Sequence, residues 1–454
     1  MPFRHYAKRS STKIFIIPQK THALATSLFL CSAVPMDTGA SARARFWRHL
    51  YPRRFWLASL SLVLLVGIES GRSEERLWVK AEINGKPTRL AFDTGASESL
   101  IFPKTAEKLG LTYTNPPANI RLRVGETPMG RTEECELTLD GNKIKTVFGV
   151  IEVPTMLAWD VDGVLGWKPL SQNIFGIDAR LGTVSSLDEV PSEVANWVQL
   201  KLRSNSAILR LEVPGPGRKI SIIFVDTGSS NGIKLSPAKW REWKAAHKNA
   251  PTTLDAYYAP STGLVVAEES WADELSFGEL KIFDVPVTQA SKTEAEIGAK
   301  GYEQENGTNL PSYAATFGLA ALKRLDLIID GQVGVAHLHP RDPPGPAYEH
   351  NRLGAVFTPV NLQADDLIGH VADGSPAQEA GIRNGDILLK IGELDVTKWR
   401  TDPAVMPLTQ FWTRPPGTKL ELTLKRGEAV YRTNVVLRQI LSPGPGKKTE
   451  SGSK

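Results

Sequence analysis

Cysteine is almost absent from this 454-residue chain, which contains only Cys31 and Cys135. The basic and apolar character of residues 1–72 predicts a leader, so Cys135 is the sole cysteine expected in the mature chain. An intramolecular disulfide is then excluded, even in an oxidising compartment.

An excess of positive charge is also missing beyond residue 72. The net charge of the whole chain is +5, but residues 1–72 hold 11 Lys and Arg against 2 Asp and Glu. The remaining residues therefore hold 43 against 47, a balance of −4. Because nucleic-acid-binding domains present a basic surface, we expect no nucleic-acid partner for the folded part.

Metal-ligand patterns are sparse as well. The 8 histidines are scattered, and only His337 and His339 lie two residues apart beside a Pro-rich stretch. No cysteine or acidic cluster accompanies them, so a solvated strand end is the favoured interpretation. We expect neither a metal nor a cofactor.

The apolar run Phe55–Ile68 is too short to cross a bilayer comfortably. Basic residues precede it at Arg43–Arg48 and at Arg53 and Arg54, and residues 69–73 that follow are polar. This order is typical of an export signal. We expect an exported protein that is periplasmic, secreted or anchored in the membrane by this segment, although a short buried helix is an alternative.

Two Asp-Thr-Gly triplets occur, each at the end of a run of strand-forming residues. The first strand leads into Asp93 and the second into Asp226. Before each strand lies an apolar/polar alternation and a turn, formed by Asn84-Gly85 in the first case and by residues 214–217 in the second. Each copy therefore predicts a β-hairpin that ends in the triplet.

Further landmarks follow both triplets in the same order, which predicts an internal duplication. The period is far longer than a solenoid repeat, so we expect two lobes, residues 73–195 and residues 196–339. The matched segments are Glu136–Ile144 with Glu274–Ile282, Val164–Leu170 with Thr316–Leu322, and the strands that reach Asp178 and Asp330. The second pair contains the apolar-apolar-Gly segments, which end at Gly166 and Gly318.

A third triplet, Asp37-Thr38-Gly39, lies in the leader. No strand-forming run precedes it, and no apolar-apolar-Gly segment follows it before the apolar run of the leader. We interpret it as a chance occurrence, because the surrounding pattern, and not the triplet alone, indicates function.

The last part of the chain has a different composition. Residues 340–351 are rich in proline and predict a linker, and residues 441–454 predict a disordered tail. Between them, residues 352–440 predict a small α+β module. Ser375 is a suitable N-cap, Pro376 suits the first helical position, and Gly381 terminates that helix.

Two carboxylates on tight loops are suited to acid/base hydrolysis. At hydrogen-bond distance two such groups cannot both ionise, so one stays protonated as an acid while the other serves as a base. The simpler interpretation is that Asp93 and Asp226 merely cap turns, since Asp-x-Gly is common turn chemistry. The duplicated context favours the catalytic interpretation.

Residues 77–338 resemble the retropepsin-like and pepsin-like aspartic proteases, in particular bacterial members that carry a PDZ domain. The resemblance implies a mainly β fold, with two homologous retropepsin-like β-barrel lobes that form a bilobal acid protease. It implies Asp93 and Asp226 as the catalytic pair. The residues implied to support the two loops are Thr94, Gly95, Ala96, Thr227, Gly228 and Ser229.

Residues 352–440 resemble a bacterial PDZ domain, most strongly over residues 369–392. The resemblance implies that an extended peptide, often a C-terminus, binds as an added strand. Its carboxylate loop would include Leu353, Gly354, Ala355 and Val356, which depart from the Gly-Leu-Gly-Phe of the family. A module that instead packs on the lobes or regulates access is an equal alternative.

These observations together predict an aspartic endopeptidase acting on an extended polypeptide, with a third module for peptide binding or regulation. The resemblance to aspartic proteases also implies a flap over the substrate from one or both lobes. The candidates are residues 123–131, with Gly125 and Gly130 as tip residues, and Tyr257–Val265. The rival prediction is a non-catalytic, exported peptide-binding protein that uses the same fold and PDZ module.

Overall fold

The computed structural model describes the chain between residues 76 and 441 with several gaps. The leader and nearly all of the predicted tail lie outside the described residues, as does half of the predicted linker, so these features stay predictions. The described residues are 76–117, 127–152, 161–203, 206–215, 219–259, 263–291, 312–341, 348–361, 364–400, 402, 405 and 407–441.

The predicted mainly β fold is confirmed: strands dominate the described residues and form three sheets. The first sheet contains β1 (Trp78–Ile83), β2 (Lys86–Asp93), β3 (Leu100–Ile101), β4 (Tyr113–Thr114), β5 (Thr127–Thr132), β6 (Cys135–Leu139), β7 (Asn142–Thr146), β8 (Gly149–Glu152) and β9 (Gly163–Gly166).

The second and third sheets use the rest of the described chain. The second contains β10 (Ile174–Asp178), β11 (Thr183–Leu187), β12 (Val198–Leu202), β13 (Arg210–Pro214), β14 (Ile220–Val225), β15 (Ile233–Leu235), β16 (Thr252–Ala259), β17 (Gly263–Phe277), β18 (Leu280–Gln289), β19 (Ser312–Phe317), β20 (Leu325–Asp330) and β21 (Val335–Pro340). The third contains β22 (Ala355–Thr358), β23 (Leu367–Val371), β24 (Ile387–Ile391), β25 (Leu394–Asp395), β26 (Lys419–Arg426) and β27 (Ala429–Val436).

Helices are short in the described residues. The α-helices are α1 (Pro103–Leu109), α2 (Pro237–Ala246), α3 (Leu319–Leu322), α4 (Pro376–Glu379) and α5 (Thr409–Trp412). Single 3₁₀ turns occur at Lys168–Leu170, Ser192–Asn196 and Val396–Lys398. None of the helices in the described part of the chain has the length and apolar character of a membrane span.

The hairpin of β1 and β2 shows how local sequence produces this fold. Asn84 and Gly85 form its turn with positive φ angles of 50° and 75°, which match the twist of the flanking strands. From Val79 onward β1 alternates buried and exposed residues, whereas the last four residues of β2 are all buried. The hairpin therefore delivers Asp93 from the interior of the sheet.

Seven strands of the first sheet follow the same order as seven strands of the second. The first order is β4-β5-β8-β3-β9-β2-β1, and the second is β16-β17-β18-β15-β19-β14-β13. The directions also agree: β2 with β9 and β3 with β8 are parallel, as are β14 with β19 and β15 with β18. The other neighbours in both orders are antiparallel.

Strands β10 and β11 precede the predicted lobe boundary at residue 195 but belong to the second sheet, where β10 pairs with β20. Arg341 links β10 to β20: its Nη2 lies 2.9 Å from Asp178 Oδ2 of β10 and 2.7 Å from Asp326 Oδ1 of β20. Burial raises the pKa of Asp326, although Arg341 acts in the opposite direction. A shared sheet and a largely buried ion-pair cluster thus connect the two halves of the repeat.

The matched aspartates Asp178 and Asp330 play equivalent structural roles. Asp178 Oδ1 accepts hydrogen bonds from the backbone amides of residues 180 and 181, at 2.9 and 3.1 Å. Asp330 Oδ1 accepts from the amides of residues 332 and 333 at the same distances. Both therefore cap the turn after their strand, which explains why the pattern repeats.

The third sheet has its own core, which includes Phe357, Trp399 and Leu422. As predicted, Ser375 caps α4 by accepting a hydrogen bond from Gln378 N at 3.2 Å, and Pro376 occupies the first turn. The first two sheets instead share one continuous core.

Candidate active site

The two Asp-Thr-Gly triplets begin where two equivalent strands end. We call residues 93–96 the first loop and residues 226–229 the second loop. Asp93 ends β2 and is paired with Gly166 of the parallel strand β9. Asp226 follows β14 directly, and its amide donates to Phe317 O of the parallel strand β19 at 2.9 Å. Each aspartate thus leaves a sheet beside the end of a parallel neighbour.

Each carboxylate is held by the glycine of its own loop. Gly95 N donates to Asp93 Oδ1 at 2.9 Å, and Gly228 N donates to Asp226 Oδ1 at 3.1 Å. The chain turns tightly here, since Ala96 N bonds Asp93 O at 3.1 Å. The equivalent bond in the second loop, from Ser229 N to Asp226 O, is 3.2 Å long.

The same two glycines lie against the carboxylate of the opposite loop. A Cβ atom on Gly95 would be 2.6 Å from Asp226 Oδ1, and one on Gly228 would be 2.3 Å from Asp93 Oδ2. Both carboxylates therefore border the same pair of glycines, and the two loops face each other across a gap too narrow for any side chain at these positions. Asp93 is buried, with 8% of its surface exposed, whereas Asp226 is half-buried.

Reciprocal hydrogen bonds of two fully buried threonines lock the loops together. Thr94 Oγ1 accepts from Thr227 N at 3.1 Å and donates to Val225 O at 2.7 Å. Thr227 Oγ1 accepts from Thr94 N at 3.0 Å and donates to Phe92 O at 2.8 Å. Because every bond has a counterpart, the arrangement has a local twofold character.

Replacing either threonine with valine keeps the side-chain shape but removes both bonds of its hydroxyl. Thr94→Val leaves the amide of Thr227 and the carbonyl of Val225 buried without that partner. We expect the free energy of unfolding to fall by about 1–3 kcal/mol, measured by denaturant titration. Thr94→Ser retains the hydroxyl and should lose less; equal losses for the two variants would contradict this account.

The apolar-apolar-Gly segments support the loops from behind. A Cβ on Gly166 would be 2.8 Å from Ala96 O, and one on Gly318 would be 2.9 Å from Ser229 O. Leu319 N also donates to Ser229 O at 2.7 Å. Glycine is needed at both positions because the backbone of each loop passes directly over it.

The four residues predicted for peptide binding in the third module are all buried. Leu353 and Ala355 are fully buried, Val356 is nearly so, and Gly354 has a φ of +72° with no room for a Cβ beside Ser375. The amides of Leu353 and Gly354 donate to Asn351 Oδ1 at 3.0 and 3.1 Å. A peptide carboxylate at these two amides would have to displace Asn351.

The two flap candidates fall at equivalent places in the two strand orders. Tyr257 pairs with Val265 near the end of the hairpin formed by β16 and β17, which we call the anchored hairpin. Residues 127–131 of the first candidate lie in β5, which pairs with β4. Residues 118–126, which connect β4 to β5 and include Gly125, lie outside the described residues. Residues 260–262, which connect β16 to β17, also lie outside them.

Asn351 is a residue that sequence reasoning missed. It is the last residue of the predicted linker, and no motif marks it. In the structure it is buried and contacts both the third module and the anchored hairpin. Within the described residues, no group of three or more His, Cys, Asp or Glu is arranged to hold a metal.

Comparison with known proteins finds a similarity that covers part of the chain. Residues 79–169, which include the first loop and Gly166, match the aspartyl protease family. No curated protein matches the chain. Among solved structures, the retroviral protease-like domain of Ddi1 from Leishmania major is 22% identical, with a TM-score of 0.21, covering 26% of this chain and 94% of that one.

Proposed function

We propose that the chain is an aspartic endopeptidase with Asp93 and Asp226 as its catalytic pair. One observation supports this proposal above all: each carboxylate is bonded by the glycine of its own loop and packed against the glycine of the other. Two turn-capping aspartates in unrelated places would not share neighbours in this way. The match of residues 79–169 to aspartyl proteases supports the same reaction class.

The proposed mechanism needs no covalent intermediate. The mechanism uses one protonated and one ionised carboxylate of the pair, which act as a unit. The ionised carboxylate takes a proton from a water bound between them, and the water oxygen forms a bond to the scissile carbonyl carbon. The protonated carboxylate donates its proton to the carbonyl oxygen. The C–N bond then breaks as the carboxyl that took the water proton gives it to the leaving amine. A hydroxyl of the diol returns its proton to the other carboxylate, so that the carboxyl product forms and the pair regains its starting state.

The Thr-Gly portions of the loops maintain the geometry of this pair. The amides of Gly95 and Gly228 each stabilise negative charge on one carboxylate oxygen of their own loop. The buried threonines prevent the loops from separating. Chemistry that depends on two acids with a fixed separation requires such rigid support.

The matching strand orders support a two-lobed enzyme in which each sheet supplies one aspartate. The substrate in this proposal is an extended polypeptide that lies between the lobes. The anchored hairpin and the hairpin of β4 and β5 are the proposed flaps, because they follow equivalent strands. The third module is proposed as a PDZ-like domain, and export is proposed from the leader.

Cleavage of an unfolded protein by the purified full chain tests the proposed function. We expect kcat/KM to pass through a maximum with pH, because the pair is inactive when both carboxylates are ionised or both are protonated. Cleavage should resist chelators. Added hydroxylamine should capture no acyl product, because water attacks directly.

A serine or cysteine peptidase would yield hydroxamate under these conditions, and a metallopeptidase would lose activity with the chelator. Binding of the unfolded polypeptide without any cleavage between acidic and neutral pH would instead favour the rival peptide-binding protein.

A further inference from the structure

The anchored hairpin packs against the third module. Leu254 of β16, Val356 of β22 and Ala372 form a buried apolar cluster, and Ala256 and Val266 of the hairpin pack against it. Val356 points away from the core of its own module, since its neighbours Ala355 and Phe357 belong to that core. The module thus presents an apolar outer face that the hairpin covers.

Asn351 forms hydrogen bonds with both the anchored hairpin and the third module at the edge of this contact. Its Nδ2 donates to Leu254 O of the hairpin at 2.9 Å and to Ala355 O of the module at 2.8 Å. Its Oδ1 accepts from the amides of Leu353 and Gly354. Its backbone carbonyl accepts from Thr253 Oγ1 at 2.7 Å.

The orientation of the Asn351 amide follows from its partners. Backbone N–H groups can only donate, so the atom facing Leu353 and Gly354 must be the oxygen. Backbone carbonyls can only accept, so the atom facing Leu254 and Ala355 must be the nitrogen. All four hydrogen-bonding positions of the side chain are therefore used, and asparagine is the one standard residue of this length that supplies them.

A second contact strengthens the same junction. Tyr348 OH donates to Glu269 Oε1 of β17 at 2.6 Å, and the Tyr348 ring lies 6.5 Å from the ring of Trp271. The hairpin is held from its other side by Lys234, whose Nζ lies 3.8 Å from the centre of the Tyr257 ring. Lys234 belongs to β15, the strand that follows the second loop.

From these contacts we infer that Asn351 is a positioning residue through which the third module sets the place of the anchored hairpin over the substrate. This inference rests on the proposed function, because it assigns the hairpin to substrate binding. Asn351 touches neither carboxylate, so its loss should weaken substrate binding and leave the chemical step unchanged. Asn351 holds the anchored hairpin in position, and the hairpin in turn binds the substrate.

Asn351→Ala in the full chain tests this role, with Asn384→Ala as the matched control. Asn384 Oδ1 accepts from Val371 N at 2.7 Å within the same module and makes none of the hairpin bonds of Asn351. For Asn351→Ala we expect amide hydrogen exchange in β16 to be about tenfold faster, and KM to rise by about tenfold with kcat unchanged. Asn384→Ala should change neither quantity.

Thr253→Val provides a second route if Asn351→Ala unfolds the module. It removes one bond to the backbone of Asn351 and leaves the side chain of Asn351 in place. Faster exchange in β16 and a higher KM are expected here too. Unchanged exchange in β16 for both variants, or equal losses in kcat and kcat/KM, would overturn the inference.

Hydrogen exchange separates this inference from the proposed function. A wild-type chain that cleaves nothing refutes the endopeptidase and, with it, the effect on KM. Exchange in β16 still decides whether Asn351 anchors the hairpin.

Discussion

Asp93→Asn and Asp226→Asn are each expected to lower kcat by at least about a thousandfold on an unfolded protein substrate. Asparagine keeps the shape of the side chain and an oxygen that can accept the glycine amide of its own loop. It can neither take a proton from water nor share one with the opposite carboxylate. The loss should therefore appear in kcat, with the loops intact.

The double variant distinguishes a catalytic pair from two independent contributions. Because the carboxylates act as a unit, Asp93→Asn combined with Asp226→Asn should be no less active than either single variant. Asp37→Asn is the matched control, since Asp37 begins the third Asp-Thr-Gly triplet and should not affect kcat. Retention of activity by one single variant would assign the reaction to other residues.

The sequence predicts those parts of the fold that depend on near neighbours. The turn at Asn84 and Gly85 and the cap at Ser375 are local, because residues a few positions apart determine them. Gly166 and Gly318 are also visible in the repeat, since only glycine permits the loop backbone to pass so close. Repetition makes these positions recognisable without knowledge of what they contact.

Long-range contacts could not be predicted in the same way. Nothing around Asp178 indicates that its strand joins the second sheet, because the partners β20 and Arg341 lie about 150 residues later in the chain. The sequence predicts a linker at Asn351 because the neighbouring prolines dominate the local composition. The Asn351 side chain donates hydrogen bonds to Leu254 and Ala355, and Leu254 lies 97 residues away in the sequence.

The reciprocal bonds of Thr94 and Thr227 explain why two triplets in one chain form one site. Each loop supplies the partners of a buried amide and a buried carbonyl on the other side, so the two loops stabilise each other. The triplet at Asp37 lies in no duplicated context, which is why we interpret it as a chance occurrence. Pairing of the loops, and not the triplet, creates the candidate site.

Gly95→Ala and Gly228→Ala are expected to lower kcat by about a hundredfold each, although both aspartates remain. The new methyl group at residue 95 would lie 2.6 Å from Asp226 Oδ1, and at residue 228 it would lie 2.3 Å from Asp93 Oδ2. Real carbon–oxygen contacts are far longer, so the opposite carboxylate must move. A shift of this size separates the pair and removes the position of the bridging water.

Ala96→Ser is the matched control for this change. It adds one atom at the next position of the first loop, where the second loop already has Ser229. We expect kcat for Ala96→Ser to stay close to that of the wild type, because the twofold partner accommodates the same side chain. Steady-state kinetics on one unfolded substrate compare the three variants, with thermal unfolding to verify that each is folded. Wild-type kcat in folded Gly95→Ala and Gly228→Ala would show that the carboxylates need not be adjacent, and the two-aspartate mechanism would then be wrong.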